Sequence, residues 1–206
     1  MIYTLAALLD WFGIAVFATT GALVASRKQM DIVGFTLLGT VTGIGGGTVR
    51  DILLGRLPVF WIVEPLYLVT CVAISCACFF LAHVPQSRYA LLLRFDAVGL
   101  ALFSVTGADI ALQSGVHPVV AVAMGVSTAT FGGIIRDVLS GESPVVFSRE
   151  IYVTAALLGA VIFVLLAHAG AAREVGLLGG FVCAAAVRLC ALRWNGSLPR
   201  YRPRPG

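Results

Sequence analysis

Of the chain's 206 residues, 59% are hydrophobic and only 12% are charged, 14 Lys and Arg against 10 Asp and Glu, with a mean hydropathy of +0.99. A soluble domain carries about 25% charged residues to cover its surface and a disordered chain is poor in apolar ones, so both classes are excluded. A membrane β-barrel needs segments of about ten residues in strict apolar/polar alternation; the apolar runs here are longer and do not alternate, which leaves helices that satisfy their own backbone hydrogen bonds in lipid.

Seven apolar stretches follow in order, at about 2–26, 32–54, 63–81, 91–112, 118–139, 151–168 and 175–192. The first has no basic residue ahead of it, holds Asp10 inside the run and is followed by Arg27 and Lys28, so it reads as a retained helix rather than a signal peptide. The second carries Gly45, Gly46, Gly47 and Thr48, then Arg50 and Asp51. Cys71, Cys76 and Cys78 in the third and Cys183 and Cys190 in the seventh lack zinc-ligand spacing and read as packing residues. The fourth contains Asp96 and Asp109, and the fifth carries Gly132 and Gly133 followed by Arg136 and Asp137. His83, His117 and His168 lie at span edges and are given no role. Residues 193–206 form a tail with Arg193, Arg200, Arg202 and Arg204 among Pro and Gly. Beside a membrane, such a tail marks the cytoplasmic side and contacts anionic headgroups rather than nucleic acid. Arg27, Lys28, Arg88 and Arg149 fall on that same side and only Arg56 and Arg173 opposite, so the N-terminus is expected outside and the C-terminus in the cytoplasm of a cell-membrane protein.

The sequence repeats itself at an offset of 86 residues without a gap. Asp10, Gly13, Phe17, Thr20, Gly21 and Ala22 recur as Asp96, Gly99, Phe103, Thr106, Gly107 and Ala108. Gly39, Thr42, Gly46, Gly47, Arg50, Asp51, Gly55, Pro58 and Glu64 recur as Gly125, Thr128, Gly132, Gly133, Arg136, Asp137, Gly141, Pro144 and Glu150. About twenty of the fifty-five positions from 10 to 64 match. Each copy holds three spans; three is odd, so the second copy enters the membrane from the opposite side. The expected fold is an all-α polytopic membrane protein of seven transmembrane helices, two inverted three-helix repeats plus a seventh helix. In domain terms, residues 1–192 form a single membrane domain, with repeat 1 at about 1–86, repeat 2 at about 87–170, the seventh helix at about 175–192 and the tail beyond.

Consecutive glycines cost a helix about 1 kcal/mol each relative to Ala, and lipid tolerates a broken helix only where it faces protein or a watery cavity. A kink or unwound turn is therefore expected at Gly45–Gly47 and at Gly132–Gly133, baring the carbonyl end of one half-helix and the amide end of the next. Close packing through small residues is the competing reading. An Arg-Asp pair in a span costs about 2.5–3.5 kcal/mol per charge unless it faces a polar interior, which favours a conduction or binding path at Arg50, Asp51, Arg136 and Asp137. Asp10, Asp96 and Asp109 either pair with Arg50, Arg94 or Arg136 or line a cation path. No P-loop, H-E-x-x-H, G-x-S-x-G or paired C-x-x-C is present, so an enzyme is unsupported and no cofactor is expected.

The doubled Gly-Gly-x-x-Arg-Asp motif at three-helix spacing resembles the prokaryotic trimeric intracellular cation (TRIC) channels, whose bacterial members often carry a generic glycine-transporter label. The resemblance covers Asp10 to Glu150. It implies a homotrimer with one potassium-permeable pore per protomer, membrane lipids and monovalent cations as partners, and kinks in the second and fifth helices at the glycines. It also implies that Arg50, Asp51, Arg136 and Asp137 are the charged groups beside those kinks. Animal members hold a phosphoinositide through basic residues on the repeat helices; here Ser114 and Gly115 stand where the first repeat has Lys28 and Gln29, so that site is not carried over. The alternative function is a secondary carrier for a small zwitterion such as glycine, with Arg50 or Arg136 on the carboxylate.

Overall fold

A computed structural model describes residues 5–81, 88–147, 151–194 and 196. His83, Arg149, Glu150 and the arginines beyond Arg193 lie outside the described residues. Among those described there are eight α-helices and no strand: α1 (Leu5–Arg27), α2 (Ile32–Leu53), α3 (Phe60–Val63), α4 (Leu66–Leu81), α5 (Arg88–Gln113), α6 (Pro118–Leu139), α7 (Val153–His168) and α8 (Arg173–Trp194), with one 3-10 turn at Val145–Phe147. Five of them (α1, α2, α5, α6 and α8) are long and apolar enough to cross a membrane. Helices α4 and α7 are apolar but have 16 residues each, about 24 Å of helix against a hydrocarbon core of about 30 Å. The chain is an all-helical, multi-pass membrane protein.

Helix limits follow from local chemistry. Asp31 caps α2 by accepting a hydrogen bond from Gly34 N at 2.8 Å. His117, its counterpart 86 residues on, caps α6 by accepting from Val119 N at 3.3 Å, ahead of Pro118 at the first helical position. Both helices stop the same way. Gly55 and Gly141 adopt φ of +66° and +70°. The following amides, of Arg56 and Glu142, then reach back to the carbonyls of Asp51 and Asp137 at 2.8 Å each. Glycine is required there because an L side chain resists that φ.

Two crossings organise the interior. Phe17 of α1 and Phe103 of α5 meet edge to face with centroids 5.0 Å apart, and each ring fills the space where a Cβ would stand on the other helix, at Gly99 and Gly13. At the second crossing, Gly46 of α2 packs against the Thr128 carbonyl and Gly132 of α6 against the Thr42 carbonyl. The pairing of 46 with 128 and 42 with 132 makes α2 and α6 antiparallel. Helical hydrogen bonding runs unbroken through both glycine runs, α2 over 32–53 and α6 over 118–139. The unwound turns expected from sequence are absent, and no half-helix ends are bared. The glycines bring two backbones together, as close packing through small residues does.

Candidate functional site

The twin Arg-Asp motifs lie in the last turns of α2 and α6, not near mid-helix, and yet are buried. Because the two helices are antiparallel, the motifs mark opposite ends of the glycine crossing. In the second, Arg136 is 1% exposed and its guanidinium serves three partners. Its Nε donates to Asp137 Oδ1 at 2.9 Å, and its Nη1 donates to Asp96 Oδ1 at 2.7 Å and to Thr20 Oγ1 at 3.0 Å. Helices α1, α5 and α6 are thereby tied at one point. Asp137 Oδ2 accepts from Val145 N at 3.0 Å and anchors the chain leaving α6. Tyr152 lies beside Asp96, and a Cβ on Gly133 would stand 3.1 Å from its hydroxyl.

The first motif repeats this design with fewer partners. Arg50 bonds Asp51 Oδ1 through Nε at 2.9 Å and Nη2 at 2.8 Å, and its guanidinium sits 5.7 Å from the Phe60 ring centroid. Asp51 Oδ2 accepts from Phe60 N at 2.9 Å, fixing the start of α3. Arg56 approaches the same carboxylate at 3.9 Å. Asp10 lies within the field of Arg50 but engages Tyr67, which stacks on Trp11 with centroids 4.0 Å apart. Thr48 donates to Ile44 O and accepts from Trp61 Nε1 at 3.0 Å. A cavity of about 340 Å³ opens here between Asp51, Arg56, Leu57, Pro58, Phe60 and Val63.

The candidate residues thus gather at two ends joined by the crossing of Gly45, Gly46 and Gly132, while Gly133 faces the Arg136 cluster. Gly47 faces the Phe60 ring. Asp109 joins neither cluster: its carboxylate takes Arg173 at 2.6 Å and Gln113 at 2.8 Å. Sequence reading treated Arg173 as a loop charge and so missed this tie between α5 and α8. It also missed Arg188, 0% exposed, which donates to Ile151 O at 3.3 Å and lies 5.0 Å from the Tyr152 ring centroid. An arginine inside the seventh apolar run was the available signal. Tyr67 and Tyr152 carried no such signal, because their offset is 85 rather than 86. Among the described residues no group of His, Cys, Asp or Glu could hold a metal ion.

The family described as Glycine transporter matches residues 7–83 and again 93–168. A crystal structure of the TRIC trimeric intracellular cation channel orthologue from Rhodobacter sphaeroides is 61% identical, covers 93% of this chain and 99% of its own, and superposes with a TM-score of 0.92. This chain belongs to the TRIC channel family. Other relatives of this TRIC chain include a UPF0126 membrane protein of Vibrio cholerae serotype O1, 42% identical over 94% of this chain and 82% of its own. The UPF0126 inner membrane protein YadS of Escherichia coli strain K12 is 40% identical over 94% of each. The two stretches matched by the family each contain one Arg-Asp motif of this TRIC chain.

Proposed function

We propose that the protein is a monovalent cation channel, permeable to potassium, that assembles as a homotrimer with one pore in each protomer. The observation that carries this is the 61% identity and TM-score of 0.92 to a trimeric intracellular cation channel orthologue over nearly the whole chain. Helices α1, α2 and α4 form one three-span repeat, α5, α6 and α7 a second of opposite orientation, and α8 the seventh span; the paired contacts at the two crossings support this plan. Residues 1–192 are one domain of a multi-pass inner-membrane protein, with the N-terminus outside and the basic tail in the cytoplasm.

The path runs from the Asp51 cavity along the α2–α6 crossing to the Arg136 cluster. Asp51 and Asp137 neutralise Arg50 and Arg136, so a cation entering either end meets no net repulsion, while Asp10 and Asp96 add negative charge to the two mouths. With backbones touching at Gly46 and Gly132 the crossing is closed, and conduction requires these glycine-bearing helices to bend or part, after which freed carbonyls and hydroxyls such as Thr48 replace part of the ion's hydration shell.

A carrier for a zwitterion such as glycine is the second reading, favoured by the family's description and by the two buried arginines. Planar-bilayer recording of the purified protein under a potassium gradient, repeated with glycine, separates the two. Discrete steps reversing near the potassium potential and indifferent to glycine are expected. Silence in the bilayer combined with saturable glycine uptake by vesicles of the same preparation would make it a carrier.

A further inference from the structure

At the end of the molecule where α5 begins and α8 finishes, Arg94, Leu189, Leu192 and Arg193 line a cleft of about 240 Å³. Both arginines are exposed. The other arginines with described side chains have partners: Arg27 with Glu142, Arg50 and Arg56 with Asp51, Arg136 with Asp96 and Asp137, Arg173 with Asp109, and Arg188 with the Ile151 carbonyl. Arg94 and Arg193 bond to nothing among the described residues. None of the nine described acids bonds to either arginine.

Two guanidinium groups in one cleft repel each other unless an anion joins them. Arg193 suits the C-terminal end of α8, but Arg94, near the start of α5, gains nothing from the helix dipole. The planar fork of arginine matches phosphate oxygens. The level of the cleft also matters. Arg193 is in the last turn of a membrane-crossing helix, and the adjacent Trp194 is 76% exposed, as aromatic residues at a membrane surface are. The other two walls are leucines, one of them 41% exposed, which present hydrocarbon beside the charges.

We infer that this cleft is a binding site for the phosphate of an anionic membrane phospholipid, with Arg94 and Arg193 on the headgroup and Leu189 and Leu192 against the first acyl carbons. It lies at the opposite end of α5 from Ser114 and Gly115. It does not depend on whether the protein is a channel or a carrier.

The test uses the full-length protein in neutral detergent, with bound ligand counted by native mass spectrometry. Dioctanoyl phosphatidylglycerol, dioctanoyl phosphatidylcholine and inorganic phosphate are titrated in turn. Phosphatidylglycerol is expected to bind the wild type, and roughly thirtyfold more weakly the R94Q/R193Q variant, the effect of two surface arginines. Both side chains are exposed, so the thermal midpoint of that variant should not move; the charge-keeping R94K/R193K variant, expected to retain most of the affinity, guards against a folding artefact. Equal binding by wild type and R94Q/R193Q would overturn the inference. So would displacement of the lipid by equimolar phosphate, which would make this a site for a soluble anion.

Discussion

Asp51 and Asp137 occupy the same place in two nearly identical motifs but protect their arginines unequally. Arg136 retains Asp96 at 2.7 Å if Asp137 is lost, whereas among the described residues Arg50 has no bonded carboxylate other than Asp51. Removing one partner of a buried ion pair costs about 3–5 kcal/mol because the remaining charge stays buried. Asp51→Ala should therefore cost about that much, and Asp137→Ala visibly less, in thermal unfolding of the detergent-solubilised protein. Equal losses would mean that Asp10 already neutralises Arg50 as fully as Asp96 does Arg136. Both carboxylates also accept a backbone amide from the next segment, Phe60 N or Val145 N, so Ala variants disturb loop order together with charge. Asp51→Asn and Asp137→Asn keep an acceptor oxygen and are the variants for conductance. If these residues screen the path for cations, unit potassium conductance should fall severalfold while the trimer elutes unchanged; unchanged conductance would assign them to structure alone.

Among the elements, the limits of α2 and α6 were legible to within a residue, because each is bracketed by an N-cap and by a glycine required at positive φ. What the motif does was not. Read along the chain, Arg-Asp-x-x-x-Gly-x-x-Pro is a pair of costly charges followed by a breaker. In three dimensions the glycine closes the helix, the carboxylate ties down the following segment, and in the second copy Arg136 bonds helices whose proximity no local pattern announces. Consecutive glycines were equally ambiguous, since an unwound turn and a backbone contact demand the same missing Cβ. Substitution separates the two. In a solvated helix Gly→Ala gains about 1 kcal/mol. At Gly46 or Gly132 the new methyl would strike a carbonyl of the facing helix, and overpacking of that kind costs about 1–3 kcal/mol. Gly46→Ala and Gly132→Ala should thus lower the melting temperature despite the better helix former. Gly45→Ala meets only the Ile135 Cδ1 tip at 3.1 Å, so it should be neutral or stabilising. Stabilisation by all three would show that the crossing yields at no cost.

For the whole molecule, the arrangement across the membrane rests on two contacts that are counterparts in the repeat but differ in chemistry. Glu142, just past α6, takes Arg27 at 3.4 Å and Lys28 at 3.5 Å, joining the end of α6 to the turn between α1 and α2. Arg56, just past α2, donates to Ser114 Oγ at 3.3 Å, joining the end of α2 to the turn between α5 and α6. Each helix end is thus bound to the opposite repeat's first turn, so the two contacts belong to opposite membrane faces. The face with Lys28 also carries Arg94 and Arg193; the other has Arg56 and Arg173. Positive residues favour the cytoplasm, so the proposed orientation has Lys28 inside and Arg56 outside. In a background lacking the five native cysteines, Arg56→Cys should react with a membrane-impermeant maleimide added to intact cells, and Lys28→Cys only after lysis. The reverse pattern would turn the molecule over while leaving its architecture intact. Labelling of both in intact cells would put the two turns on one face, which is incompatible with antiparallel α2 and α6 spanning the bilayer and would overturn the inverted-repeat plan itself.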